Sequence, residues 1–161
     1  MALETYRDFA ENDFFFFTDA YSSGRMGNIM GAMAQGICEK YMKDIIDTYY
    51  EPQSARESHS KEKILKTHNL EKLIKFLDSE MDLKFERDTK NAMRIIDGYY
   101  FSTRYPGDDS IELTADDIKD CLYAVTKCRD ATANMIEQLS QQEIETGILE
   151  EAALLEEDYE L

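Results

Sequence analysis

The sequence predicts an all-α protein, and three observations carry that reading. Glycine and proline number only 7 and 2 among 161 residues, and tryptophan is absent. Ala, Leu, Glu, Lys, Met and Ile fill long unbroken stretches, the composition of helices rather than sheets. Apolar residues recur at spacings of three and four along most of the chain, the period of one helix face. With 43% apolar residues the chain can bury a core, and its length is that of one ordinary domain. The expected architecture is an antiparallel up-and-down bundle of four to five helices over residues 1–139, with an additional acidic amphipathic tail helix over residues 140–161.

Residues 3–22 read as one or two short helices, an aromatic packing element built on Phe9, Phe14, Phe16 or Phe17, and Tyr21, ended by Ser22-Ser23-Gly24. A long helix follows over residues 27–50, with Ile29, Met30, Met33, Ile37, Tyr41, Ile45 and Thr48 as its stripe. Gly31 and Gly36 each cost about 1 kcal/mol against alanine in a helix. Close approach of a neighbouring helix and plain tolerance account for them equally well. Residues 52–60 read as a polar loop. Next comes a short helix, a break at Thr67-His68-Asn69, and a second helix with Leu70, Leu73, Ile74 and Leu77 buried and Thr67 or Asn69 as its cap.

The next pattern begins near Lys84, carries Phe85, Ala92, Ile95, Ile96, Tyr99 and Tyr100, and stops at Pro106, which disfavours helix in the residue before it. On this reading Arg104 sits in the last turn, where the helix dipole favours a cation. A final helix starts at Thr114 as N-cap, with Asp116 and Asp117 in its first turn, and carries Ile118, Leu122, Val125, Cys128 or Arg129, Thr132, Ile136 and Leu139. The tail beyond it holds eight acids and no base, yet Ile144, Ile148, Leu149, Ala152, Leu155 and Tyr159 keep helical spacing. It is either a last helix packed on the bundle or an acidic arm for a basic partner.

Charge narrows the classes of function. Acids outnumber bases 34 to 18, for a net charge of -16, and the tail holds half of it. Such a chain repels a phosphate backbone at long range, so general DNA binding is not expected and any nucleic-acid contact must be a local patch. One basic stretch exists, with six Lys/Arg against three acids over residues 56–75. A solvated helix face explains it, although it could also receive a phosphate or the acidic tail of a second subunit.

Three cysteines make no C-x-x-C pair, and Cys121 and Cys128 are separated by about 10.5 Å of helix rise. That exceeds the roughly 7 Å a disulfide tolerates between α-carbons, so reduced core thiols are expected. No apolar run reaches the roughly 18 residues a membrane span needs, and the acidic start lacks a signal-type pattern. The expectation is a cytoplasmic protein without a membrane segment. Two histidines and scattered cysteines give no metal set, and no phosphate loop, dinucleotide fingerprint, HExxH or EF-hand is present. No cofactor or metal is expected.

The stretch "YYFSTRYPGDDS" holds the candidate ligand site. A helix stop followed by a turn explains Arg104, Pro106 and Gly107, but not the clustered tyrosines. Tyr99, Tyr100 and Tyr105 beside Arg104 could stack on a base and hold a phosphate, because aromatic faces accept any base and the guanidinium fork fits phosphate oxygens.

Taken in order, "GAMAQGICEKYMKDIID", "THNLEKLIKFL", "IIDGYYFSTRYPGDDS" and "LTADDIKDCLYAVTKCRDATANMIEQL" resemble the HEPN domain family over roughly residues 10–139. The "RYPGD" piece is the most specific, supported by Glu39, Lys40 and Lys43 and by His68, Asn69 and Leu70. The resemblance implies a helical bundle, usually a symmetric homodimer, often encoded beside a minimal nucleotidyltransferase as a toxin and antitoxin pair or serving in defence and RNA processing.

Many members of that family are metal-independent ribonucleases with an Arg-x(4–6)-His motif, in which histidine relays protons and arginine stabilises phosphoryl charge. This chain lacks the motif. The positions a histidine would take hold Lys61, Glu62 and Lys63 after Arg56, and Asp109, Ser110 and Ile111 after Arg104. The resemblance therefore points to the branch with the Arg-Tyr-Pro signature, regarded as nucleotide-, RNA- or partner-binding modules. It implies ligand contacts by Arg104, Tyr105, Tyr100, Lys40 and Lys43. Two alternatives stand beside it: a metal-independent endoribonuclease with a displaced site formed by His68 and Arg104, and an acidic interaction scaffold working through the tail.

Overall fold

The computed structural model describes residues 2–159. Glu160 and Leu161 of the predicted tail lie outside the described residues. Thr5 caps helix α1 (Tyr6–Ser22), its side chain accepting from the Asp8 amide while the Asp8 carboxylate accepts from the Thr5 amide. This is one unbroken helix, because the reciprocal cap starts it and nothing interrupts its ladder before Ser23 and Gly24, the latter at φ +74°. Its core residues are Ala10, Phe14 and Phe17, whereas Phe9 and Phe16 face outward.

Helix α2 (Ile29–Tyr49) touches every other helix of the protein. Its stripe of Met30, Ile37, Tyr41 and Ile45 is buried, but Ile29 and Thr48 at its ends are exposed. Being surrounded, α2 also buries Gln35, Glu39, Lys43 and Asp44. Polar groups removed from water need partners, and these residues organise the neighbouring segments. Gly31 is kept for close approach: a Cβ there would lie 2.7 Å from Leu113 Cδ1 and 2.9 Å from Thr103 Cγ2. Gly36 has nothing within 4 Å, so tolerance explains it.

Helix α3 (Ala55–Leu65) begins inside the stretch read as a polar loop. Ser54 accepts from the Glu57 amide, and the Glu57 carboxylate accepts from the Gln53 amide, so a cap starts the helix a turn earlier than the apolar spacing suggests. Asn69 caps α4 (Leu70–Met81), whose Leu70, Leu73, Ile74 and Leu77 are all buried.

The pattern running from Lys84 toward Pro106 is two helices, α5 (Arg87–Ile96) and the single turn α6 (Tyr99–Ser102). Asp97 is extended and Gly98 takes φ +97°, a conformation only glycine adopts without strain, so the chain changes direction there. Arg104 consequently lies beyond a one-turn helix rather than in the last turn of a long one, and the dipole argument for it falls away. Ile95 faces outward at 54% exposure because the buried face of α5 is Thr89, Ala92, Met93 and Ile96, which ends in the core.

Helix α7 (Ala115–Tyr159) is capped by Thr114, whose hydroxyl accepts from the Asp117 amide while Asp117 accepts from the Thr114 amide. Its first half buries Ile118, Cys121, Ala124, Val125, Cys128, Thr132 and Met135 against α2 and α5. The acidic stretch is the continuation of this same helix, and every residue from 141 to 158 is exposed. Cys38, Cys121 and Cys128 are buried free thiols, and burial pushes Cys121 up to about 12. No described helix is long and apolar enough to cross a membrane. The result is an all-helical bundle organised about α2.

Candidate functional site

The site forms where α6 and the loop before α4 meet the middle of α2. Gln35, fully buried, makes the junction. Its Oε1 accepts the Tyr100 amide at 2.7 Å, and its Nε2 donates to the His68 carbonyl at 2.5 Å and to Glu39 Oε1 at 3.3 Å. One side chain thus satisfies an orphan amide of the short helix and a loop carbonyl together. Asp97 adds a second tie: its carboxylate accepts the Leu70 and Glu71 amides at 3.0 and 3.2 Å, capping α4 from across the fold. Asn28 anchors the far side by donating to the carbonyls of Thr103 and Ile111 and accepting the Leu113 amide.

These ties bring His68, Tyr100 and Arg104 together. The His68 imidazole stacks on the Tyr100 ring with centroids 4.1 Å apart and planes 7° apart. Arg104 Cζ lies 4.6 Å from the Tyr100 centroid and 5.4 Å from that of Tyr105. Phe101 meets Tyr100 edge-on at 4.9 Å and is 58% exposed. Arg104 has no ion pair with any described carboxylate. Its guanidinium is held by ring faces and keeps its donors for solvent or a ligand. A shallow depression lined by His68, Asn69, Asp97, Gly98 and Phe101 adjoins the stack.

Beneath His68 lies a buried ion pair. His68 Nδ1 is 3.2 Å from Glu39 Oε2, and Lys43 Nζ is 3.9 Å from that same oxygen. Burial raises the Glu39 carboxyl above its ordinary value, opposed by Lys43 and His68, and burial lowers Lys43, opposed by Glu39. Nδ1 faces the Glu39 carboxyl, so Nε2 is the ring nitrogen that Glu39 does not engage.

The predicted site residues divide. Arg104, Tyr105, Tyr100 and His68 share one face, and Lys43 reaches it only through Glu39. Lys40 belongs elsewhere, ion-paired with Asp13 of α1, because it lies on the α1 side of α2. Gln35 and Asp97 escaped the sequence reading. The signal for Gln35 was a polar residue set among the apolar positions Ala34, Ile37 and Cys38. Tyr99 packs inward near Gly31, and burial raises its phenol. Among the described residues no group of three or more His, Cys, Asp or Glu side chains is gathered as a metal set. A separate groove between α5 and α7, lined by Phe85, Thr89, Lys127 and Met135 among others, contains none of the predicted site residues.

Comparison with known proteins adds one match. The HEPN domain model aligns with residues 58–137, from within α3 into α7, a span that includes His68, Tyr100, Arg104 and Tyr105. No curated protein and no solved structure matches the chain. Through the segment that builds most of this face, the chain belongs to the HEPN domain family.

Proposed function

We propose that this protein is a HEPN module that binds single-stranded RNA or a nucleotide on the Tyr100–Arg104 face and does not cleave it. The observation that carries the reading is the Arg104 guanidinium, stacked on two tyrosines and free of any described carboxylate. A planar cation fixed in that way presents a fork to phosphate oxygens, and the exposed rings of Phe101 and Tyr105 offer faces for bases. The surrounding chain is strongly acidic, so such a site selects ligands by stacking and one local cation rather than by attraction over distance. The absent Arg-x(4–6)-His motif supports a binding role. The resemblance extends the proposal to a cytoplasmic homodimer paired with a minimal nucleotidyltransferase in a toxin-antitoxin or defence system.

A second reading has its own observation. The Glu39–His68 hydrogen bond engages Nδ1 and leaves His68 Nε2 without a hydrogen-bond partner among the described residues, available for proton transfer near Arg104 across the Tyr100 ring. That is a metal-independent endoribonuclease with a displaced site. Incubation of wild type, His68→Ala and Arg104→Ala with a mixed RNA pool and no added metal separates the two. The binding module leaves the RNA intact in all three and loses nucleotide-induced stabilisation in Arg104→Ala. Cleavage lost in both variants establishes the nuclease.

A further inference from the structure

Helix α7 leaves the bundle at Ser140, whose Oγ lies 3.2 Å from the Tyr49 hydroxyl. Among the described residues no side-chain hydrogen bond joins α7 to another element beyond that point. Residues 141–158 are all exposed, a rod roughly 27 Å long at about 1.5 Å per residue. At about 100° per residue, Ile144, Ile148 and Leu155 fall on one stripe with Ala152 at its edge, while the exposed Leu149 and Leu154 lie off it. The three large residues on the stripe are between 56% and 61% exposed. Carboxylates border the stripe on both sides, Glu145 and Glu156 along one edge and Glu151 and Asp158 along the other. No Lys or Arg follows Arg129. An apolar stripe in water with a rim of one sign is a docking surface that lacks its partner.

Neither a second tail, nor the basic stretch over residues 56–75, nor the aromatic face of α1 complements it. Two tails laid together would set rim carboxylates against rim carboxylates, an unfavourable pairing. The basic stretch over residues 56–75 of another copy offers charge, but no large apolar residue is exposed there to cover the stripe. The exposed Phe9, Phe15 and Phe16 of α1 offer apolar surface, but on a helix whose Asp8, Asp13 and Asp19 repeat the tail's sign.

We infer that residues 141–158 dock as a preformed amphipathic helix into an apolar groove, flanked on both sides by lysines and arginines, on a different protein. The apolar stripe supplies most of the affinity, and the carboxylate rims set orientation and speed of encounter. Being remote from the Tyr100–Arg104 face, this surface works whether or not that face binds RNA.

The test places a photo-crosslinking side chain at Ile148, on the stripe, or at Glu150, on the opposite side, in the full chain within the cells that naturally produce it. The expected result is an adduct from position 148 and none from 150, with a protein whose crosslinked surface is apolar and bordered by Lys and Arg. That protein, purified, binds the full chain less tightly as salt rises. Ile148→Asp weakens binding by about tenfold or more, and Glu145→Gln with Glu156→Gln flattens the salt dependence. Arg104→Ala leaves this binding unchanged, and Ile148→Asp leaves RNA binding unchanged, so the two readings fail separately. No adduct from 148, equal adducts from both positions, or an adduct with a second copy of this chain overturns the inference.

Discussion

The His68 imidazole lies flat against the Tyr100 ring, 4.1 Å away and 7° from parallel, although one residue belongs to the loop before α4 and the other to α6. Neither holds the other there unaided, since Gln35 ties both of their backbones to α2. Tyr100 is therefore the platform on which His68 and Arg104 are both placed. Tyr100→Leu is expected to lower RNA affinity by roughly tenfold, because Arg104 loses the ring face that holds its guanidinium, a cation–aromatic contact worth about 0.5–2 kcal/mol. Titration of labelled single-stranded RNA with the variant checks this.

Gln35 makes the larger contribution to stability. Gln35→Ala strips the part-buried Tyr100 amide and His68 carbonyl of their partner, and an unsatisfied group of this kind costs up to about 1–3 kcal/mol. Urea unfolding of the variant is expected to show a loss within about 2–5 kcal/mol, with RNA binding lost as α6 detaches.

Gly31 and Gly36 are expected to part company when each is replaced by alanine. At Gly31 the new methyl meets Leu113 and Thr103 inside 3 Å, and overpacking of this kind costs about 1–3 kcal/mol. At Gly36 it meets nothing, and the gain in helix propensity raises stability by up to about 1 kcal/mol. Thermal unfolding of the two variants beside wild type reads both signs.

Glu11 gives a pH dependence of defined sign. Arg129 binds it bidentately at 2.8 and 2.9 Å and Tyr41 donates to it at 2.8 Å, joining α1, α2 and α7. The guanidinium of Arg129 holds the Glu11 carboxyl below its ordinary value of 4.5, so the folded state binds fewer protons there than the unfolded one. The stabilisation is complete above 4.5 and is lost as pH falls through the lowered folded value. The stability gap between wild type and Glu11→Gln is expected to be constant near neutral pH and to shrink below 4.5, as read by urea unfolding at several pH values.

Local patterns made most helices legible, and the exceptions share a cause. The stripe of Leu70, Leu73, Ile74 and Leu77 and the caps at Asn69 and Thr114 act within a turn or two, and all are as the spacing predicts. The break at Asp97-Gly98 escaped notice because Ile96 and Tyr99 keep helical spacing across it. What fixes the break is Asp97 capping α4, a partnership across the fold that spacing does not contain. The early start of α3 was readable from Ser54 and Glu57, but the apolar pattern outweighed it. At the site, the aromatic and cationic residues were visible, whereas Gln35 was not, because its role depends on which backbone groups approach it. Lys40 came with Glu39 and Lys43 from the family resemblance, and its place on the α1 side of α2 sets it against Asp13.

Fluorescence anisotropy of a labelled single-stranded RNA, titrated with wild type and with Arg104→Ala in the presence of a metal chelator, bears most directly on the account. The RNA is recovered afterwards and sized. Saturable binding to wild type, at least about tenfold weaker binding to the variant, and intact RNA in both samples are the expected result. No binding to wild type, equal binding to both proteins, or shortened RNA in the wild-type sample would contradict it.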